Sequence, residues 1–211
     1  MAEHDLAWGP GRFGRPNGTP GLRVHELTDV ALASVLARRG QANAVATAAE
    51  RSFGCTVPDR PRAELGHDTA FLWTGPAQWL AVAEPATTDL ESRLVGPFAG
   101  VAAVFDQSGG RVMLELEGPR VRDVLAKGFS IDLDPRVFTT GHVAATLVSH
   151  LHVQLWQVDD APRYRILVVR TYFGSFWRWL ASSAAEYGGE VLEPRRYAHT
   201  PPAGGERLIG A

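Results

Sequence analysis

The chain has 211 residues, 45% of them apolar, and a formal net charge of −2, enough length and apolar content for one large domain or two small fused ones. Its longest basic runs are the pairs Arg38-Arg39 and Arg195-Arg196, so nucleic acid and anionic membranes, which require clustered Lys and Arg, are not expected partners. It holds no run of about 18 apolar residues and no secretory apolar core near its start, so a cytoplasmic location is expected.

Residues 1–21 carry Gly9, Pro10, Gly11, Gly14, Pro16, Gly18, Pro20 and Gly21. Such a segment buries too little apolar surface to offset backbone ordering. It is expected to be a flexible N-terminal arm, either frayed or ordered against a partner chain. A single α+β domain is expected over 22–193. Within Val24–Arg38, residues Ala31 to Ala37 read as a strand, although Ala and Leu also suit a helix. Gln41 to Phe53 reads as a helix with Ala44, Val45, Ala48, Ala49 and Phe53 near one face, stopped by Gly54. The single cysteine, Cys55, excludes an internal disulfide and a Cys-based zinc site, and it reads as a buried, inert thiol.

Ala70–Thr74 and Trp79–Glu84 flank the turn signal Gly75-Pro76 and predict a hairpin with Trp73 and Trp79 near its tip. Thr88 is placed to cap a helix over Asp89 to Leu94, with Asp89 and Glu91 favoured in its first turn. A strand then ends at Asp106, and Gly109-Gly110 turns the chain. Arg111 to Glu117 alternates, with Val112, Leu114 and Leu116 on one face and Arg111, Met113, Glu115 and Glu117 on the other. Pro119 suits a first helical position. Val121, Val124 and Leu125 form the buried stripe of that helix, and Gly128 closes it.

His142–Ser149, Val153–Val158 and Tyr164–Arg170 read as three further strands. The last helix is expected from Gly174 to Tyr187, with Phe176, Trp177, Leu180, Ala184 and Tyr187 facing the core. Trp179 falls about 100° round from that stripe, suited to flank packing or to an interface. Residues 194–211, with Pro194, Pro201, Pro202, Gly204, Gly205 and Gly210, are expected to be a flexible tail. Strand, helix, hairpin and helix thus recur twice in order, which predicts two fused ferredoxin-like halves.

Chemistry is sparse in the pattern. His150 and His152 share a strand face, but only His142 lies nearby as a third ligand, so solvent-facing polar residues are the expectation. Asp159-Asp160 sits in Asp-Asp-Ala-Pro between apolar strands, where Asp and Pro are turn residues. Asp106, Asp132 and Asp134 also lie at strand ends or turns. The chain has no Gly-x-Ser-x-Gly, P-loop, His-Glu-x-x-His or dinucleotide-binding Gly-x-Gly-x-x-Gly pattern. No catalytic, cofactor or metal residue is assigned.

Four stretches in order resemble the sarcosine oxidase gamma subunit family. They are ARRGQANAVATAAERSFG, LWTGPAQWLAVAE, FDQSGGRVMLELEGPRVRDVLAKGFSIDLDP and LWQVDDAPRYRILVVRTYFGSFWRWL. The likeness runs from about Leu22 to Val191. It implies a reduced form of the folate-binding fold of glycine-cleavage aminomethyltransferases. It also implies a heterotetrameric complex in sarcosine catabolism and one-carbon metabolism, with alpha, beta and delta partners. In it, alpha carries NAD and tetrahydrofolate sites, beta carries the flavins FAD and FMN, and delta binds zinc. The complex converts sarcosine to glycine, hydrogen peroxide and a one-carbon unit that tetrahydrofolate accepts, and the gamma chain is not the catalytic one. The Asp-Asp pair of the transferases corresponds here to Leu151-His152-Val153-Gln154, which has no carboxylate. The Lys-Gly-Cys motif of the iron–sulfur-associated folate proteins is absent too. Trp73, Trp79 and Trp179 are the candidate interface anchors. The alternatives are a free-standing folate-binding regulatory or transfer module and a gamma-like subunit of another N-methyl amino-acid dehydrogenase.

Overall fold

A computed structural model describes residues 8–15, 17–84 and 89–195, folded as two sheets face to face with helices on both outer sides. Strands β1 (Gly11–Phe13) and β2 (Leu22–Leu27) open the chain in the larger sheet. The chain then crosses over and builds the smaller one. That sheet takes β3 (Ala31–Ala37), β4 (Ala63–Leu65), β5 (Thr69–Gly75), β6 (Gln78–Ala83) and β7 (Ala102–Asp106), in the order β4-β5-β6-β3-β7. Helices α1 (Ala42–Phe53) and α2 (Leu90–Val95) cover its outer face.

The second half returns to the larger sheet with β8 (Arg111–Glu117), α3 (Val121–Ala126), β9 (Val143–Val148), β10 (Leu151–Asp159), β11 (Arg163–Val169), α4 (Phe173–Ala184) and β12 (Gly189–Val191). The order is β1-β12-β2-β8-β11-β10-β9. Both halves carry ferredoxin-like strand order, as the sequence predicts. In the second half, however, β2 sits beside β8, and β12 pairs in parallel outside it. The two halves are therefore interlocked by the first strand.

Alternation sorts the side chains into three apolar layers. Val112, Leu114 and Leu116 of β8 join Tyr164, Ile166, Val168, Phe176 and Leu180 beneath α3 and α4. Ala33, Val35, Phe71 and Ala81 pack under α1 and α2, where Phe53, Phe71 and Phe98 meet with ring centroids 5.6–6.1 Å apart. Leu32, Leu72, Leu80, Val82, Met113, Leu167 and Trp156 fill the space between the sheets. Each fully buried large apolar side chain contributes roughly 1.5–3 kcal/mol relative to exposure.

Local signals set most element ends. Gly54 closes α1 in the left-handed conformation (φ 75°), its N–H donating to the Glu50 carbonyl. The expected cap Thr88 lies outside the described residues, and the Asp89 carboxylate accepts the Ser92 N–H at 2.9 Å. Pro119 is not the first helical residue, because α3 starts at Val121. The preceding turn is held instead by Gly118 (φ 125°) against Gly21, whose carbonyl accepts the Arg120 N–H at 2.9 Å. Ser149 and His150 (φ 45° and 68°) form a tight β9–β10 turn, so β10 begins at Leu151 rather than Val153. Helix α4 ends at Ala184, short of Tyr187, whose ring lies against Arg120 and Lys127.

The described part of the N-terminal Gly/Pro segment is built into the fold. β1 pairs antiparallel with β12. Trp8 packs edge-on against Phe173 and Trp177 at 5.0 and 4.9 Å. Phe13 also meets Trp177 at 5.2 Å, and these three aromatic contacts with one strand pair supply what the segment's composition lacks. Of the expected C-terminal tail, Pro194 and Arg195 are described, and 196–211 are not.

Candidate functional site

The strongest concentration of charge lies between the sheets. Glu115 on β8 and Arg165 on β11 are direct cross-strand partners on the face shared with Met113 and Leu167. Glu115 is fully buried and Arg165 is 2% exposed. Arg165 Nε donates to Glu115 Oε2 at 3.1 Å, and its Nη1 donates to Glu84 Oε1 at 2.6 Å. Arg195 Nη1 donates to Glu115 Oε1 at 2.8 Å, and Arg163 Nη1 lies 3.7 Å from the same oxygen. The Arg165 guanidinium also covers the Trp156 ring at 4.9 Å. Buried charge of this kind persists only when paired and hydrogen-bonded.

Glu84 ends the group toward a cavity of about 50 Å3 lined by His67, Asp68, Thr69, Trp156 and Arg165. Burial holds its carboxyl above the ordinary glutamate range, opposed by Arg165 and reinforced by nearby Glu115. Its Oε2 is buried without a hydrogen-bond partner. The cavity is sized for ordered water. The acids of the cluster are engaged with arginines, which makes it a structural brace.

The three sequence-selected tryptophans fall in different settings. Trp79 is 4% exposed, with its Nε1–H donating to the Pro58 carbonyl at 2.6 Å, so it packs inside the smaller half. Trp73 is half-buried on β5 opposite Trp79, and its carbonyl accepts from Gln154 Nε2 at 3.3 Å. Trp179 is half-buried on α4, its ring near Phe129 and Phe176 at 5.8 and 5.6 Å. The structure does not bring the three together. Gln154 is buried and tied to that backbone carbonyl.

The remaining candidates serve turns. Asp159 takes the Ala161 N–H and the Arg163 guanidinium, and Asp160 accepts from the Thr140 hydroxyl at 2.6 Å. Asp134 binds Arg136 through both backbone and side chain, which holds its carboxyl well below the usual range. Asp106 accepts from Ser108, and Asp132 from the Asp134 N–H. Among the described residues no group of three His, Cys, Asp or Glu is placed to hold a metal. Burial, with Glu64 adding to it, pushes the Cys55 thiol up to about 11, as an inert core thiol requires. No helix among the described residues is long and apolar enough to cross a membrane.

Sequence reading missed the exposed large apolar residues. Leu65, Val95, Phe105, Val137, Leu147 and Tyr172 are each more than two-fifths exposed. Phe105 lies on β7 and Leu147 on β9, each an edge strand of its sheet. Only the strand order marks those positions; the local sequence does not.

Comparison with known proteins bears on this arrangement. Residues 39–186 match the family described as sarcosine oxidase, gamma subunit. The chain is 32% identical to the sarcosine oxidase subunit gamma of Arthrobacter sp. over 80% of this chain and 83% of that one. It is 31% identical to that of Corynebacterium sp. strain U-96 over 79% and 82%. Among solved structures, it is similar to a chain of the heterotetrameric sarcosine oxidase from Corynebacterium sp. U-96. That likeness has 27% identity and a TM-score of 0.71, covering 81% of this chain and 87% of that one. The fold is also that of the glycine cleavage system aminomethyltransferase T from Bartonella henselae (TM-score 0.57, 11% identity), covering 83% of this chain and 48% of that one.

Proposed function

The chain belongs to the sarcosine oxidase gamma subunit family, and on that premise we propose that it is a non-catalytic assembly subunit of a heterotetrameric sarcosine oxidase. The observation that carries this reading is the likeness to gamma subunits over about four-fifths of both chains. In this reading the partners are alpha, beta and delta subunits in the cytoplasm. They hold FAD, FMN, NAD, tetrahydrofolate and zinc, and the complex turns sarcosine into glycine, hydrogen peroxide and a one-carbon unit.

The chain would meet its partners through half-buried Trp73 and Trp179 and the exposed Phe105 and Leu147, since aromatic and apolar anchors dominate such contacts. Trp79 is left out of that surface because its ring and N–H are used internally. We take the chain as one domain over 22–193, to whose larger sheet β1 is joined. Co-expression with and without this chain tests the proposal. The expected result is loss of assembly and of sarcosine-dependent peroxide when the chain is missing; full assembly and activity without it would sink the idea.

A free-standing folate-binding module is favoured by the transferase fold alone. The stretch that the resemblance sets against the transferase acids, Leu151-His152-Val153-Gln154, has no carboxylate, and its Gln154 is bound to the Trp73 carbonyl. Micromolar binding of a reduced folate by the isolated chain would reverse this ranking. A gamma-like place in another N-methyl amino-acid dehydrogenase is distinguished by the substrate that drives peroxide or dye reduction.

A further inference from the structure

A second cavity, about 280 Å3, opens where β2 hands the chain across to β3. It borders the Glu115 brace through Arg195 and contrasts with it in one respect. There, every buried guanidinium meets a carboxylate. Here, Arg111, the first residue of β8, lines the cavity with its Nε buried and without a hydrogen-bond partner. Burial pulls its pKa down, and no carboxylate among the described residues offsets that pull. A buried guanidinium N–H without an acceptor is costly and is retained where a ligand supplies that acceptor.

The surroundings narrow the ligand. Arg170 also lines the cavity, but its Nε and Nη2 donate to the Gly109 and Arg111 carbonyls, each at 2.9 Å. It therefore fixes the backbone of Arg111 and leaves the Arg111 Nε–H as the buried donor without an acceptor. Ser108 is engaged with Asp106 and with the Leu32 backbone. Glu26 lines the same cavity while accepting the Trp8 Nε1–H at 3.3 Å, and its charge disfavours a dianion. Leu27, Val30 and Met113 supply apolar wall.

We propose that this cavity binds a small monocarboxylate, its carboxylate forked by the Arg111 guanidinium and its apolar body toward Leu27, Val30 and Met113. Planar carboxylate and guanidinium match in two parallel hydrogen bonds, and a singly charged group meets less repulsion from Glu26 than a phosphate dianion would. The ligand is independent of the assembly role, and its test reads this chain directly.

The chain has two methionines, and Met113 is in the cavity wall. The full chain labelled with methyl-13C methionine, its signals assigned with Met113→Leu, is titrated with propionate against chloride at matched ionic strength. A saturable shift of the Met113 methyl is expected, with one propionate bound per chain by calorimetry. Arg111→Gln should weaken binding by about tenfold or more, as loss of a charged hydrogen-bonding partner does. Arg111→Lys, keeping charge but losing the fork, should fall between. Three results overturn the proposal. One is no saturable shift at about 100 mM propionate, far above a millimolar dissociation constant. Another is an equal response to inorganic phosphate. The third is loss of the response in the assembled complex, which would make Arg111 a contact for a partner's acid.

Discussion

The space between the two sheets has an apolar end and a charged end, built by the same rule. Leu32, Leu72, Leu80, Met113 and Leu167 fill one, while Glu115, Arg165, Glu84, Arg163 and Arg195 fill the other. Strand alternation delivers both sets to one layer, Met113 beside Glu115 on β8 and Leu167 beside Arg165 on β11. What differs is tolerance. An apolar layer accepts a two-residue slip that keeps the face, but the same slip would strip Glu115 of its arginines. The apolar end supplies adhesion, and the charged end supplies register.

The sharpest break is Glu115→Ala, which leaves Arg165 and Arg195 short of a buried partner and is expected to cost about 3–5 kcal/mol. Urea unfolding of the variant reads it, and a loss below about 1 kcal/mol would mean that the arginines find water instead. Leu80→Ala, at the apolar end, should cost about 2–5 kcal/mol with no change in the dependence on denaturant. A changed slope there would mean that the layer had loosened, not merely hollowed.

Glu84 sharpens the contrast through pH. Burial raises its folded-state pKa, so the folded protein keeps this proton to higher pH than the unfolded chain does. Its contribution to stability is complete below the unfolded value of 4.5 and is lost as pH rises through the folded value. Glu84→Gln should therefore flatten the stability profile on the acid side of neutrality; a profile unchanged from wild type would remove Glu84 as its source. The smallest effect is expected from Phe105→Ser, within about 0.5 kcal/mol in unfolding because the site is exposed. Weaker co-purification of the partner subunits with that variant would place β7 at the interface, and unaltered assembly would exclude it.

Where local chemistry settles a conformation, the sequence was readable. Gly54, the β5–β6 turn and the Ala31–Ala37 strand appear where composition and alternation put them. Val112, Leu114 and Leu116 share one face as the alternation predicts, and that face is buried beneath α3 and α4. The charged end was not legible, because Glu115 and Arg165 alternate with apolar residues just as solvent-facing residues do. Only the second sheet laid over them turns that face inward. Gly11–Phe13 and Gly189–Val191 escaped notice because three-residue strands carry no periodicity and exist through pairing with each other. Arg111 had no signal either, since an unpaired guanidinium becomes visible only when its burial is known.

The position of β2 between β8 and β12 has a consequence for how the chain is made. A nascent chain leaving the ribosome presents Leu22–Leu27 long before its first neighbour, Arg111–Glu117, has been synthesised, and Gly189–Val191 comes later still. Until then two strand edges stand open, the condition under which growing chains aggregate or recruit help. Closure of the larger sheet around β2 therefore waits for Gly189–Val191. A chain whose first 185 residues have cleared the ribosome would hold a larger sheet still lacking β12, and β1 would be without its partner.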